Sequence, residues 1–204
     1  MRIILASSNK DKIREIKEIL SDIQEISVLP FTDLVDFFEI VEDGKSFKEN
    51  ALIKARAVFC ALQNKNLLQK DDIVLSDDSG ICVDALNGAP GIHSARYSGG
   101  DSIENLNKLI FEVSKLENQS SKAHYCASIA ICSFYGEYTT HGFMYGNVIA
   151  QKKGNNGFGY DPMFIPKGFS QTLAELSDES KNAISHRGKA LQSARLIIKM
   201  LLAL

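Results

Sequence analysis

The chain lacks an excess of charge of either sign. Its 25 aspartates and glutamates nearly balance its 23 lysines and arginines, which leaves a formal net charge of −2. Proteins that bind DNA or RNA through the phosphate backbone usually carry a strong basic excess, so we expect no nucleic-acid partner. A small anionic ligand needs only a local cluster of cations, and the balance of charge does not exclude one.

Cysteine is also scarce, and no two cysteines have the C-x-x-C spacing of a zinc site. We interpret the four as reduced, mostly buried residues of a cytoplasmic protein: Cys60, Cys82, Cys126 and Cys132. The apolar run at the N-terminus is too short for a signal peptide, and no stretch has the length of a membrane span. We therefore expect a cytoplasmic protein without a membrane partner.

Apolar spacing predicts an α/β protein with a mixed sheet. Residues 2–6 and 72–76 are short apolar runs typical of buried strands, and the residues after Asn9 repeat at helical spacing. Two β-rich runs, 123–134 and 137–149, predict a long hairpin. The length suits one domain, so we assign the whole chain to a single domain.

Capping patterns place the beginnings of several helices. Ser46 and Glu49 form one capping box, and Thr172 and Glu175 form a second. Ser185 is expected to cap the last helix. Residues 101–116 predict a further helix, because their apolar residues recur on one face.

Two adjacent carboxylates, Asp77 and Asp78, follow the predicted strand and precede Ser79 and Gly80. Both are expensive to place near a core unless a counter-charge is present, and a divalent cation can supply it. Oxygen ligands and a need for phosphate contact favour Mg²⁺. The alternative is a polar turn between two strands, which these four residues alone leave equally open.

The junction between the first strand and the first helix is suited to bind phosphate. Helix N-termini bind phosphate through free N–H groups, and Ser7, Ser8 and Asn9 add side-chain donors. Lys10 and Lys12 lie in the first turn, where the helix dipole disfavours cations unless an anion is bound. The glycines of a Walker A loop are missing. An ordinary cap with solvated lysines is the alternative.

Two later segments could recognise a base. A glycine-rich loop offers Phe158 or Tyr160 as a planar face for a purine, although it could equally be a plain connection. Lys181 can pair with a phosphate, and His186 and Arg187 can hydrogen-bond to a base. These last three could instead be surface residues.

An acidic loop before Gly44 could complete a metal site through Glu39, Glu42 or Asp43, although such loops are more often solvated. Taken together, the segments supply what cleavage of a nucleoside triphosphate needs. They contain carboxylates for a metal, cations and helix ends for phosphates, and stacking and polar groups for a base.

Six blocks follow one another from residue 3 to about residue 191: Ser7-Ser8-Asn9-x-x-Lys12, Phe47-x-Glu49-Asn50-Ala51-x-x-Lys54-Ala55, Ser76-Asp77-Asp78-Ser79-Gly80, Asn87-Gly88-Ala89-Pro90-Gly91-Ile92-x-Ser94-Ala95-Arg96-Tyr97, Gly157-Phe158-Gly159-Tyr160-Asp161-Pro162 and Ser185-His186-Arg187-Gly188-Lys189-Ala190-Leu191. This ordered set resembles the inosine triphosphatase family, also called Ham1-like, whose bacterial members are the dITP/XTP pyrophosphatases. Six blocks in order are far more specific than any one of them.

The resemblance implies a two-lobed α/β fold, with a long central mixed sheet flanked by helices and the active site in the cleft between the lobes. It implies Mg²⁺, a homodimer, and hydrolysis of aberrant purine triphosphates (dITP, ITP and XTP) to monophosphate and pyrophosphate. By this resemblance, Asp78 is expected to be the proton acceptor and a metal ligand, with Asp77 beside it. Glu42 is expected to be the third metal ligand, and Glu39 is the alternative for that position.

The resemblance also implies a set of substrate contacts: Ser7, Ser8, Asn9, Lys10, Asp11, Lys12, Lys54, Ser79, Phe158, Gly159, Tyr160, Asp161, Lys181, His186 and Arg187. Two positions depart from the family pattern. Ser8 stands where glycine is usual, so the backbone there must suit a residue with a Cβ. The acidic loop reads Val41-Glu42-Asp43-Gly44, where two adjacent glutamates usually precede Thr-Gly.

The expected mechanism is attack of a water on the α-phosphorus, with Asp78 accepting its proton and pyrophosphate leaving. A donor to the 6-oxo group of the base, such as Arg187 or a backbone N–H, would reject adenine strongly. How guanine is excluded stays open. The alternatives are a Maf-like pyrimidine nucleotide pyrophosphatase and a nucleotide-binding module without turnover.

Overall fold

The computed structural model describes residues 1–24 and 26–203, and for Asp11 it describes the backbone alone. The chain divides into two compact units. Unit 1 consists of Met1–Asp78, Ser128–His141 and Ala190–Leu204, and unit 2 consists of Ser79–Ala127 and Gly142–Lys189. The chain passes from one unit to the other at four places, and the first of them lies between the neighbouring residues Asp78 and Ser79.

Six strands form one sheet in the order β2-β1-β3-β4-β5-β6. Their bounds are β1 Arg2–Leu5, β2 Ser27–Pro30, β3 Ile73–Val83, β4 Ser120–Ser133, β5 Gly136–Ile149 and β6 Phe164–Pro166. Strand β1 pairs parallel with β2 and with β3, whereas β5 pairs antiparallel with β6. The sheet is mixed, and the predicted fold class, a mixed central sheet flanked by helices, is confirmed.

Five α-helices accompany the sheet in the described residues: α1 Lys10–Leu20, α2 Phe47–Asn64, α3 Ser102–Ser114, α4 Asp178–Ile184 and α5 His186–Leu202. Short 3-10 turns connect several elements, and the Thr172 capping box begins one of them. The hydroxyl of Ser46 accepts a hydrogen bond from Glu49 N at the start of α2, as predicted. None of these helices is both long enough and apolar enough to cross a membrane.

Each unit has its own apolar core. In unit 1, β1, β3 and β4 pack against α2, which buries the small residues Ala51 and Ala55 and the larger Val58 and Leu62. Small side chains let a helix approach a sheet closely, and the larger ones fill the remaining space. In unit 2, α3 contributes its buried apolar face, including Leu109, to a cluster with β4, β5 and β6.

Three features of the fold differ from the sequence-based expectations. Strands β2 and β6 have four and three residues, too few to show a periodic pattern, and they were not predicted. Strand β3 was expected to end in a turn at Asp77–Gly80, but it continues to Val83. The chain stays extended there because lysines pair with both buried carboxylates, so the strand does not need to turn them toward solvent.

The N-terminus of α3 has a complete capping box, which generates a stability prediction. Asp101 Oδ1 accepts from Ile103 N at 2.8 Å and from Glu104 N at 2.9 Å, and Glu104 Oε2 accepts from Asp101 N at 2.9 Å. Replacing Asp101 with Ala should lower the free energy of unfolding by about 1 kcal/mol, because orphan N–H groups lose their acceptor. Urea unfolding at neutral pH measures the change.

Asp101→Asn is the matched control. The amide oxygen of asparagine can still accept from the same N–H groups, so this variant should retain most of the stability. Equal losses in the two variants, or no loss in Asp101→Ala, would contradict the role of the side-chain oxygen.

Candidate active site

Unit 1 contains a compact cluster of carboxylates and lysines at Asp77 and Asp78, the last residues of β3 that belong to this unit. Successive residues in a strand face opposite sides of a sheet. Accordingly, Asp77 Oδ2 pairs with Lys12 Nζ at 2.7 Å, whereas Asp78 Oδ1 pairs with Lys54 Nζ at 3.1 Å. Both aspartates are buried, so the two lysines supply the counter-charge that buried carboxylates require.

Glu42 joins this cluster through Lys54. The Lys54 ammonium donates to Glu42 Oε2 at 2.9 Å and to Asp78 Oδ1 at 3.1 Å, so one cation serves two carboxylates. Glu39 is exposed in the same loop. Of the two candidates for the third carboxylate, the structure therefore brings Glu42 to Asp78.

The acidic loop that carries Glu42 is fastened to the start of α2. Gly44 N donates to Asn50 Oδ1 at 2.9 Å, and Lys45 N donates to Glu49 Oε2 at 2.6 Å. A Cβ at Gly44 would lie 2.6 Å from Asn50 Oδ1, so only glycine permits this approach. Asn50 and Glu49 thus position the loop, and neither role was predicted from the sequence.

Burial changes the acid–base character of the cluster. Burial raises the pKa of Asp78 above its ordinary value, and the nearby lysines only partly oppose this. Burial lowers the pKa of Lys54, but the carboxylates of Asp78 and Glu42 outweigh it, and the net pKa is raised. Lys54 therefore keeps its charge, while Asp78 is a stronger base than an exposed aspartate.

The carboxylates suit a hard cation, although residues 1–24 and 26–203 hold no ready-made group of three metal-binding side chains. Mg²⁺ takes oxygen ligands, and the cluster offers carboxylate oxygens. Asp78 Oδ2 is buried and has no hydrogen-bond partner among the described residues. Glu42 and Asp78 already share one cation, the Lys54 ammonium, which makes them the pair best placed to share a metal.

The turn that precedes α1 is capped by its own side chains. Asn9 Oδ1 accepts from Lys12 N at 3.1 Å, and Ser7 Oγ accepts from Asn9 N at 3.2 Å. Ser8, Asn9 and Lys10 are exposed, so the turn and the helix start are accessible to a ligand. The side chain of Asp11, also among the predicted contacts, lies outside the described part of the structure.

Unit 2 contains a second polar cluster, centred on Asp161. Its Oδ2 accepts from Lys181 Nζ at 2.7 Å and from Phe158 N at 3.0 Å. Lys181 Nζ lies 4.6 Å from the centroid of the Phe158 ring, and 40% of Phe158 is exposed. A Cβ at Gly157, whose φ is +74°, would overlap Asp161 Oδ2, so this turn needs glycine.

The predicted aromatic faces of the loop differ in accessibility. Tyr160 is buried in the unit 2 core, and its hydroxyl donates to Ser94 O at 2.7 Å. Of the two rings, Phe158 is thus the exposed one that a base could stack on. Gly159, with φ of +61°, allows the chain to turn between them.

Arg187 and His186 begin α5 in the same unit. Arg187 is 2% exposed, and its Nη2 donates to Ser79 Oγ at 3.0 Å. The His186 ring stacks on Tyr125, with 4.8 Å between centroids and 17° between planes. Tyr125 was not among the predicted site residues, because an aromatic residue in a β-strand is usually part of a core and carries no motif.

The predicted residues therefore form two groups. Lys12, Lys54, Glu42, Asp77 and Asp78 form the acidic cluster of unit 1. The polar cluster of unit 2 contains Ser79, Phe158, Asp161, Lys181, His186 and Arg187. Carboxylates with lysines suit a metal-bound triphosphate, and an exposed ring with buried donors suits a base.

Comparison with known proteins decides the family. The model of the Ham1 family matches residues 3–196. The chain belongs to the Ham1 family. The family predicted from the six sequence blocks is thus confirmed, and the Ham1 match covers residues of both units.

Ham1 relatives match the chain nearly end to end. A dITP/XTP pyrophosphatase from Campylobacter jejuni subsp. doylei is 58% identical over 202 residues, which are 98% of each chain. A dITP/XTP pyrophosphatase from Sulfurimonas denitrificans is 54% identical over 203 residues, covering 98% of this chain and all of the relative. The solved structure of the Staphylococcus aureus Ham1 protein is 34% identical, covers 98% of both chains and has a TM-score of 0.83.

The raised pKa of Asp78 generates a prediction about stability. A carboxyl group whose pKa is higher in the folded than in the unfolded protein destabilises the fold when ionised. This penalty is complete above the folded-state pKa and disappears as pH falls toward the unfolded-state pKa. Asp78→Asn should therefore have a higher free energy of unfolding than the native protein at about pH 8, and the difference should shrink as the pH falls to about 4, near the ordinary pKa of an aspartate.

Asp77→Asn is the matched control, because it removes the partner of Lys12 at a side chain that is fully buried. It should lower the free energy of unfolding by about 1–3 kcal/mol. Urea unfolding of both variants at the two pH values makes the comparison. If Asp78→Asn lost as much stability as Asp77→Asn at the higher pH, the prediction that ionised Asp78 destabilises the fold would be wrong.

Proposed function

We propose that the protein hydrolyses the aberrant purine nucleoside triphosphates dITP, ITP and XTP to the monophosphate and pyrophosphate, which removes them from the nucleotide pool. The main support for this proposal is the environment of Asp78. This residue is a buried carboxylate with raised pKa, one of its oxygens has no hydrogen-bond partner within residues 1–24 and 26–203, and it shares a lysine with a second carboxylate. Relatives named dITP/XTP pyrophosphatase align with the chain over nearly its whole length.

Asp78 acts as the general base. Its carboxylate, which has an oxygen without a hydrogen-bond partner among the described residues, accepts a proton from the water that attacks the α-phosphorus. A base is most effective when its pKa lies near the working pH, so the upward shift of Asp78 favours this role. Pyrophosphate leaves as the water oxygen bonds to phosphorus.

Lys12, Lys54 and the start of α1 bind the triphosphate. Their N–H groups and ammonium charges would stabilise the phosphate oxygens, where negative charge develops during the reaction. Asp78 and Glu42, with Asp77 nearby, would hold Mg²⁺. When bound, this ion neutralises phosphate charge and orients the triphosphate.

The polar cluster of unit 2 recognises the base. Phe158 supplies a stacking face, and the ammonium of Lys181, held by Asp161, lies over the Phe158 ring, 4.6 Å from its centroid. Hypoxanthine and xanthine present a 6-oxo acceptor, whereas adenine presents an amino donor at that position. A buried donor such as Arg187 therefore favours the first two, because adenine would leave it without an acceptor.

A substrate panel tests the proposal. Pyrophosphate release from dITP, ITP, XTP, GTP, ATP and dTTP is measured with Mg²⁺ and with chelator. We expect kcat/KM for dITP and XTP to exceed that for ATP by at least about a hundredfold, and activity to require the metal. In H₂¹⁸O the label should enter the monophosphate, because the attack is at the α-phosphorus.

Asp78→Asn should lower kcat by about 10²–10⁴-fold, since its oxygen can no longer accept the proton. Asp101→Asn, the same chemical change on α3, serves as the control and should keep native turnover. Near-native turnover by a folded Asp78→Asn protein would disprove the general-base role. Label in pyrophosphate, or equal kcat/KM for all six triphosphates, would disprove the proposed reaction or its selectivity.

The protein is also proposed to be a cytoplasmic homodimer. All four cysteines are free thiols, as suits a reducing compartment. On unit 2, His124, Phe143 and Tyr145 form a ring cluster with centroids 5.7–6.1 Å apart. Phe143 is 39% exposed and Tyr145 is 59% exposed, and clustered apolar surface of this kind marks interfaces.

Sedimentation velocity at micromolar concentration tests the dimer. Tyr145→Glu should shift the protein toward monomer, because a charge would be buried in the interface. Leu196→Glu, at a residue 72% exposed on α5, is the control and should leave the assembly unchanged. A monomeric native protein, or equal effects of both variants, would refute this interface.

A further inference from the structure

We infer that Tyr125 is a positioning residue for purine selectivity, because it holds His186 and Asp161 in place within the polar cluster of unit 2. This role rests on the proposed function, since it concerns the groups that recognise the base. Tyr125 touches two of those groups directly, with its ring on one and its hydroxyl on the other.

The ring of Tyr125 fixes the plane of His186. The two rings are nearly parallel, 17° apart, with centroids separated by 4.8 Å. Phe164 meets Tyr125 edge-on, at 4.8 Å and 63°, and is itself fully buried. Because Phe164 holds Tyr125, the position of His186 is set by the core of unit 2. Aromatic pairs of this geometry contribute about 0.5–1.5 kcal/mol beyond the area they bury.

The hydroxyl of Tyr125 completes the set of donors around Asp161. It donates to Oδ1 at 3.4 Å, while Oδ2 accepts from Lys181 and from Phe158 N. Burial, reinforced by the charge of Asp161, raises the pKa of Tyr125, so the hydroxyl keeps its proton at neutral pH. Tyr125 is therefore a constant donor, and Asp161 is held from both sides.

The hydroxyl is not needed for packing. Tyr125 belongs to an apolar cluster in which phenylalanine would occupy nearly the same volume. A hydroxyl buried there is unfavourable unless it has an acceptor, and Asp161 is the acceptor that the structure shows. Asp161 in turn fixes Lys181 and the backbone of Phe158. One side chain thus orients the stacking face, the lysine and the histidine.

Two substitutions separate the two contacts. Tyr125→Phe removes the hydroxyl and retains the ring, whereas Tyr125→Leu removes both. The ratio of kcat/KM for XTP to that for ATP should fall about two- to tenfold in Tyr125→Phe, the equivalent of one hydrogen bond. The ratio should fall further, up to about a hundredfold, in Tyr125→Leu, because the stacked ring is also lost. In both variants, the decrease in kcat/KM for XTP should come mainly from a higher KM.

Leu109→Ala controls for a purely structural effect. Leu109 is fully buried in the same apolar cluster, so its truncation weakens the unit 2 core without touching His186 or Asp161. It should lower the free energy of unfolding and leave the ratio of kcat/KM for XTP to that for ATP at the native value. A comparable fall in all three variants would overturn the positioning role, as would native ratios in both Tyr125 variants.

The His186 ring protons give a readout that does not depend on turnover. A stacked Tyr125 ring shifts their NMR signals upfield, so the signals should stay in place in Tyr125→Phe and move downfield in Tyr125→Leu. Unchanged signals in the leucine variant would overturn the stacking. If Tyr125→Leu does not fold, the phenylalanine variant still tests the hydroxyl. A native protein inactive on every triphosphate would refute the proposed function, while the NMR signals would still decide whether Tyr125 holds His186.

Discussion

Asp77 and Asp78 lie next to each other in the buried part of β3, and neither could stay ionised there without a cation. The alternation of the strand sends them to different lysines, Lys12 and Lys54. These two pairs allow the strand to continue through four polar or small residues without turning to solvent. The placement of α1 and α2, which carry the lysines, and of the acidic loop with Glu42 follows from this requirement.

The same ion pairs connect stability to chemistry. Burial raises the pKa of Asp78 although Lys54 and Lys12 oppose the shift, so keeping this carboxylate ionised lowers the stability of the fold. In the proposed reaction, a triphosphate would offer the lysines new partners, and a divalent ion would offer the carboxylates a new cation. Binding can thus exchange one set of charge pairs for another without leaving a buried charge unpaired. Sites that are strained before they bind commonly hold reactive groups.

Much of this arrangement could be predicted from the sequence, for reasons visible in particular residues. The caps at Ser46 and Thr172 and the hairpin around Tyr135 depend on local chemistry, so a short window of sequence contains the information. Strands β2 and β6 are short and take their conformation from pairing with neighbours.

Site residues show the same limit. Phe158 and Tyr160 look equivalent in the sequence, but burial separates them, and burial depends on the whole of unit 2. From the sequence, Tyr125 is interpreted as an ordinary core aromatic residue. Its partners cannot be identified from a local pattern, because they are distant in sequence, 36 residues away for Asp161. Asn50 anchors the acidic loop and lies four residues before Lys54 on α2. This arrangement determines where an insertion in the chain can be tolerated. Residues added before Asn50 could bulge into the loop, whereas one residue inserted between Asn50 and Lys54 would rotate the lysine by about 100° and remove it from both carboxylates. The four-residue interval on α2 therefore keeps Asn50, which holds the loop, and Lys54, which pairs with Glu42, on the same face of the helix.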